Sequence, residues 1–358
     1  MRTIGALFAG TGGLDLAAER VWSARVVWYA ETNPTASRLL AQRFPDATNL
    51  GDVTTVDWSE VPYVDVLTGG FPCQDISSAG RGRGLEAGTR SGLWLSMVAA
   101  IEALQPRIVV TENVRGILAA RGRAGDVEPC PTCLGDRPTR LVRALGTVLG
   151  DLASQRYDAR WRCLEAAQVG APHHRLRWFC VAHPQEVPLL RAADPRPARI
   201  WQIPTDPLLP TPTPFHSDNT ETPARWLERR AEVQERTGTR HGIALPVVAR
   251  SWHEGALIIQ DGTGPHLVPA TEHPWGPYSA AVDRWAALRG AVAPAATHDG
   301  GKRLSANLVE WMMGYPSGWV TAADDVSWKQ ALRLLGNGVV PEQAEEAIRS
   351  LLAIEVAP

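Results

Sequence analysis

The sequence predicts an α/β fold, a doubly wound parallel sheet over residues 1–184 followed by a smaller, irregular region. Three observations predict it. Short apolar runs alternate with segments of helical period up to about residue 183, and strand and helix in alternation build a parallel sheet covered on both faces. A glycine-rich turn, Gly10-Thr11-Gly12-Gly13, directly follows the first apolar run. Ten prolines then fall between Pro184 and Pro223, and because proline fixes φ and removes a ladder donor, the sheet ends there.

Taken in order, the runs Ile4–Ala9, Val26–Ala30, Val64–Leu67 and Ile108–Thr111 read as strands. Helix faces emerge from the spacing of Leu93, Trp94, Met97, Val98, Ile101 and Leu104, and again from Leu141, Val142, Leu145, Val148, Leu149 and Leu152. Another apolar run, Trp178–Ala182, follows the alternating pair Arg175 and Arg177, which alternation places on one strand face. Residues 185–303 lack sustained periodicity and are rich in Trp, Pro, His and Gly, a texture suited to a loop-built binding surface. Helical pattern returns at Leu308–Met313 and Glu342–Leu352.

Composition narrows the function classes. With 358 residues, 44% hydrophobic and 21% charged, the chain is an ordinary globular one, a large domain plus a smaller one or two domains. No apolar stretch approaches the ~18 residues of a membrane helix. The odd count of five cysteines suits reduced thiols, and the glycines and Asp15 near the N-terminus interrupt any secretory apolar run, so a cytoplasmic location is expected. Net charge is −2, yet between Ala79 and Arg143 ten arginines face six acids. A local basic excess of that kind suits a phosphate backbone; the cations are nearly all arginine, a skew that suits phosphate and also follows from a GC-rich genome.

Several side chains stand where chemistry is expected. The glycine turn lets a backbone approach a ligand, and Glu31, 21 positions after Gly10, lies where a carboxylate meets ribose hydroxyls. Asp52 is a further acceptor in reach of an adenine amine, or simply a turn residue. Cys73, in Gly69-Gly70-Phe71-Pro72-Cys73-Gln74, follows a strand in the loop where such folds hold their ligands. A cysteine alone is more often a small buried hydrophobe. Glu112 ends the next strand and could pass a proton to a ring nitrogen, or cap the following helix. Arg175 and Arg177 could hold a phosphate or steady a thiolate. Cys130 and Cys133 form only half of a zinc knuckle, so no metal is expected.

In order and spacing these motifs resemble the DNA (cytosine-5) methyltransferases of bacterial or phage type. They stand as Phe8-Ala-Gly-Thr-Gly-Gly-Leu14, Glu31, Gly51-Asp52-Val53, Gly70-Phe-Pro-Cys-Gln74, Thr89-Arg-Ser-Gly-Leu93, Glu112-Asn-Val114, His173-His-Arg-Leu-Arg177, Leu304 through Pro316, and Gly336-Asn337-Gly338-Val339. The resemblance implies a Rossmann-like S-adenosylmethionine-dependent methyltransferase domain. Phe8, Gly10, Gly12, Gly13, Leu14, Glu31, Asp52, Val53, Pro72, Leu93, Asn337 and Val339 would line the S-adenosyl-L-methionine site.

By the same resemblance Cys73 would attack C6 of a flipped-out cytosine, and Glu112 would contact N3 and the exocyclic amine. Arg175 and Arg177 would steady the nucleophile loop and the target's phosphate. Residues 185–303 would recognise double-stranded DNA, and 304–358 would return to the catalytic domain. The implied protein is a monomeric modification enzyme of a bacterium or its phage. Two departures stand out: His173 where the family commonly has Gln, and Asn307 where it often has Arg. An RNA cytosine methyltransferase, a nucleotide-cofactor oxidoreductase with a redox-active Cys73, and a non-catalytic DNA-binding relative are the competing readings.

Overall fold

A computed structural model describes residues 1–72, 93–120, 122, 143–214, 222–237, 243–254, 256–261, 264–269, 273–298, 300–301 and 303–353. The chain forms two compact units. The first comprises residues 1–164, 176–199 and the chain from Ala344 on; the second comprises 165–175 and 200–343. These boundaries differ from those read at 184 and 303: residues 304–343 pack within the second unit, and only the last helix goes with the first.

The first unit is built on strands β1 (Arg2–Leu7), β2 (Ala24–Ala30), β3 (Thr48–Asn49), β4 (Val66–Gly69), β5 (Ile108–Val114), β6 (Tyr157–Glu165) and β7 (Leu176–Pro184). Their order in the sheet is β3-β2-β1-β4-β5-β7-β6. The order reverses at the β1/β4 pair, which creates the crevice where open α/β sheets bind ligands, beyond the carboxyl ends of those two strands.

The pairs β2–β3, β1–β2, β1–β4 and β4–β5 are parallel, as expected. One strand departs from the parallel arrangement: β7 runs antiparallel to β5. Its neighbour β6 is joined to it only by residues 166–175, short of the dozen or more residues that a parallel crossover takes.

Helices α1 (Gly13–Trp22), α2 (Pro34–Arg43), α3 (Trp94–Leu104) and α4 (Ala144–Ser154) connect the strands. Asn33 caps α2 by accepting the Thr35 and Ala36 N–H groups. On one sheet face, α3 and α4 bury Trp94, Met97, Ile101, Val148 and Leu152 against Leu7, Leu67, Val109 and Trp178. At 25 cal/mol per Å2 or so, burial of such side chains is worth about 1.5–3 kcal/mol each.

A buried ionic cluster closes this unit. Arg196, in the segment leaving β7, donates to Glu345 at 2.6 Å and Glu346 at 2.7 Å, and Arg349 joins Glu345 at 3.1 Å. Both acids lie on the C-terminal helix, Pro341–Leu352.

The second unit is more regular than the texture of residues 185–303 suggests. Among its described residues are α5 (Pro223–Thr237), α6 (Leu245–His253), α7 (Ser279–Arg289), α8 (Ala306–Met312), α9 (Trp328–Asn337) and the start of α10 (Pro341–Leu352). Two antiparallel pairs accompany them: β8 (Ala256–Asp261) with β9 (Gly264–Pro269), and β10 (Thr297–His298) with β11 (Arg303–Leu304). Tryptophans supply much of this core. Trp285 donates to the Trp311 carbonyl at 2.8 Å, and Trp252 meets Trp275 edge to face at 4.5 Å. Aliphatic clusters complete it, Leu245, Val247 and Val248 on α6 and Leu332 and Leu335 on α9.

Candidate active site

The site starts from the turn after β1. Phe8, Gly10 and Gly12 all take positive φ, at 55°, 57° and 76°. Glycine adopts this region at little cost, whereas Phe8 is strained there. Gly12 is the N-cap of α1 and offers no side chain, so no side-chain cap satisfies the first N–H groups of the helix that Gly13 and Leu14 open. A helix start built this way attracts negative charge and hydrogen-bond acceptors.

Glu31, just past β2, braces the turn. One carboxylate oxygen accepts the Gly10 N–H at 2.9 Å and the other the Asn33 N–H at 2.7 Å. Asn49 links this corner to the next loop, accepting from the N–H groups of both Glu31 and Gly51. Asp52 lies on that loop, exposed, with Oδ1 taking the Thr54 N–H at 2.9 Å and the Thr54 hydroxyl at 2.8 Å. Those two bonds hold its carboxyl below the usual range. Val53 beside it is buried in the same apolar cluster as Phe71 and Trp94, with Phe8 and Leu93 packed against that cluster. The glycine turn, an anchored carboxylate and an apolar wall thus meet at the topological switch point.

β4 delivers the second half. Phe71 is buried, 5.2 Å from the Trp94 ring, and its carbonyl accepts from Asn113 Nδ2 at 3.1 Å. Pro72 is half-buried. Cys73 and Gln74 lie outside the described residues, as do Cys130 and Cys133. The described cysteines are poor nucleophiles: burial pushes the Cys180 thiol up to about 12, and Cys163 is raised as well.

Glu112, on β5, is 9% exposed. Arg177 of β7 holds its Oε1 at 3.1 Å through Nε, while Oε2 would lie 3.4 Å from a Cβ placed on Gly70. The structure brings Phe8, Gly10, Gly12, Gly13, Leu14, Glu31, Asp52, Val53, Pro72, Leu93, Glu112 and Arg177 into one unit.

Arg175 does not join Arg177. It precedes β7 with φ 66°, which breaks the alternation expected of a shared strand face. Only 4% exposed, it donates within the second unit to the carbonyls of Pro212 at 3.3 Å, Gly336 at 3.2 Å and Gly338. Its own carbonyl accepts from Gln343 at 2.7 Å. A guanidinium engaged by backbone carbonyls and out of solvent is a clamp on the turn after α9 rather than a phosphate ligand. Asn337 ends α9, and the Val339 carbonyl accepts the Tyr315 hydroxyl at 2.8 Å. His173 is buried, with Nε2 3.2 Å from the Met312 carbonyl.

The family model for C-5 cytosine-specific DNA methylases matches residues 2–353. The chain belongs to that family. Among curated relatives it is 29% identical over 178 residues to the type II methyltransferase M.NgoBV of Neisseria gonorrhoeae, covering 48% of this chain and 39% of that protein. It is 30% identical over 177 residues to M.CviJI of Paramecium bursaria Chlorella virus IL3A, covering 49% and 41%. The chain thus spans well under half the length of these relatives.

Solved structures of this family's fold include the S. pombe Dnmt2 methyltransferase, with TM-score 0.55, 16% identity and 98% of both chains covered. An E. coli prophage protein described as a putative DNA modification methyltransferase gives TM-score 0.52 and 18% identity, again over 98% of both. At such identities the likeness speaks for the fold. Sequence reasoning passed over one polar residue at the heart of the site: Asp15, buried under the glycine turn and bonded to Thr68 of β4. A charged side chain interrupting the buried face of α1 was the signal available for it.

Proposed function

We propose that the protein is a DNA cytosine-C5 methyltransferase that takes its methyl group from S-adenosyl-L-methionine. The observation carrying this reading is Glu112, aimed by Arg177 at Gly70, at the end of the strand beside the one that leads to Cys73. Phe8, Gly10, Gly12, Gly13, Leu14, Glu31, Asp52, Val53, Pro72 and Leu93 fit the cofactor: the uncapped start of α1 accepts its polar tail, Glu31 and Asp52 its hydroxyl and amine groups, and the apolar wall its base. When bound, that cofactor supplies an electrophilic methyl group.

The chain's own residues prepare the base. C5 of cytosine is a weak nucleophile, so the Cys73 thiolate adds to C6 and forms an S–C6 bond, while Glu112 shares a proton with N3 to absorb the negative charge. The electron-rich C5 then takes the methyl group. Loss of the C5 proton to solvent water restores the C5–C6 double bond as the S–C6 bond breaks, and Cys73 leaves as the thiolate. Because a duplex hides C5 and C6, the base is flipped out at a cost of a few kcal/mol.

Residues 185–303 serve recognition of double-stranded DNA in this reading, and the enzyme acts as a monomer in the cytoplasm. Type II methyltransferases among the relatives support a role in DNA modification. No helix among the described residues is long and apolar enough to cross a membrane.

The test offers labelled cofactor with duplex DNA and with transfer RNA, followed by bisulfite sequencing. Label in DNA at cytosine C5, abolished by Cys73→Ser with cofactor affinity retained, is the expected result. Label only in RNA, nicotinamide binding without methyl transfer, or full turnover by Cys73→Ser would overturn the reading.

A further inference from the structure

Asp15 takes no part in the chemistry above, yet it is the most deeply placed carboxyl near the site. It occupies the first turn of α1, three residues beyond the N-cap Gly12, and is 2% exposed. Its Oδ1 bonds to the hydroxyl of Thr68, itself fully buried on β4. The same hydroxyl lies 3.3 Å from the carbonyl oxygen of Gly5 on β1. A hydroxyl owns one proton. When Thr68 gives it to Gly5, the bond to Asp15 needs a proton from the carboxyl. Asp15 Oδ2 is buried and has no hydrogen-bond partner among the described residues, and a buried anion with a single donor is a costly arrangement.

We propose that Asp15, as a neutral carboxylic acid donating through Thr68 to Gly5, is a positioning residue that pins the start of α1 to β4 and β1 and so holds the glycine turn in its ligand-binding shape. The chain of donors crosses the switch point: Gly5 precedes Phe8 on β1, and Thr68 precedes Gly70 on β4. Removing the proton leaves Thr68 to choose between the anion and the Gly5 carbonyl, which loosens one of the two ties.

Burial raises the carboxyl to about 7, and Glu19 one turn along α1 pushes the same way. Glu19 itself accepts the Val26 N–H of β2 and lies near Arg20. β1 and β4 face Asp15 with Gly5 and Thr68, which do not titrate. The titratable side chains of β2 are the exposed Arg25 and the buried Tyr29. The helix start and the Thr68 bond favour the anion and keep the proton exchangeable near neutrality.

The functional half of this inference rests on the reading of the glycine turn as a cofactor site; the protonation half does not. The first measurement is therefore a pH titration of the wild-type protein with 13C-carboxyl-labelled aspartate, followed by NMR. One aspartate should titrate near neutrality and vanish in Asp15→Asn; an Asp15 signal already ionised at pH 5 would overturn the proposal. The second compares S-adenosylmethionine affinity at pH 6.5 and 8.5, using Asp15→Asn to cancel the ligand's own titration.

Wild-type affinity should weaken about fivefold or more relative to Asp15→Asn as pH rises. Asp15→Ala should bind weakly at both values. If Asp15→Asn is as impaired as Asp15→Ala, the carboxylate is the working form and the proposal fails. Absence of cofactor binding by every form, with the NMR result intact, would indict the cofactor reading instead.

Discussion

Replacing Glu310 by Gln should cost the second unit about 3–5 kcal/mol. Glu310 lies on α8, buried, with its carboxylate in a nest of donors: Oε1 accepts Val320 N–H at 2.6 Å and Thr321 N–H at 2.9 Å, and Oε2 accepts Gly318 N–H at 2.7 Å and the Thr321 hydroxyl at 2.9 Å. An amide keeps only one acceptor oxygen. In its better orientation it retains Val320 and Thr321, and the Thr321 hydroxyl turns to accept. The Gly318 N–H then faces an NH2 group and loses its carboxylate acceptor, which costs about 1–3 kcal/mol. The two surviving bonds lose their charge assistance, roughly 1 kcal/mol each.

The assay is denaturant unfolding followed by tryptophan fluorescence, since Trp311 and Trp319 flank the nest, together with calorimetry. For a unit of ~150 residues the expected drop in melting temperature is roughly 6–20 °C. A loss under ~1 kcal/mol with an unchanged denaturant slope would refute the claim that this carboxylate organises the 318–321 loop.

Other expectations follow from the same contacts. Arg177→Gln should leave cofactor affinity nearly unchanged but lower turnover roughly 10²-fold, because Glu112 loses the partner that aims it; single-turnover methyl transfer reads this, and unchanged turnover would remove Arg177 from the site. Arg196→Ala should destabilise the first unit by about 2–4 kcal/mol by leaving Glu345 and Glu346 short of a partner. A double-mutant cycle with Glu346→Ala should show coupling of about 1–3 kcal/mol, and strict additivity would contradict the cluster. Gly336→Ala should destabilise the second unit, since a Cβ there would stand 2.3 Å from backbone atoms of Thr213 and Pro214; wild-type melting behaviour would show that this backbone yields cheaply.

Much of the first unit was legible locally. Apolar runs located β1, β2, β4 and β5, and helical spacing located α3 and α4, because a strand buried on both faces reads as continuous apolar sequence. The polar edge strand β6, Tyr157–Glu165, lacks such a run because most of its side chains are only half-buried. In the second unit α5, α6, α7 and α9 were missed, although α6 and α9 bury short aliphatic clusters of their own.

The sequence by itself determined the α/β class, the glycine turn with Glu31 beyond it, and the placing of Glu112 at a strand end, since each follows from near neighbours in the chain. Tertiary structure alone decided that Arg177 and not Arg175 meets Glu112, that β7 runs against β5, and that Asp15 joins Thr68 across 53 positions. The physical reason is the same throughout. Periodicity and turn chemistry act over a few residues, whereas the partner of a buried charge is chosen by strand order and a single backbone torsion, such as the positive φ at Arg175, which no local pattern records.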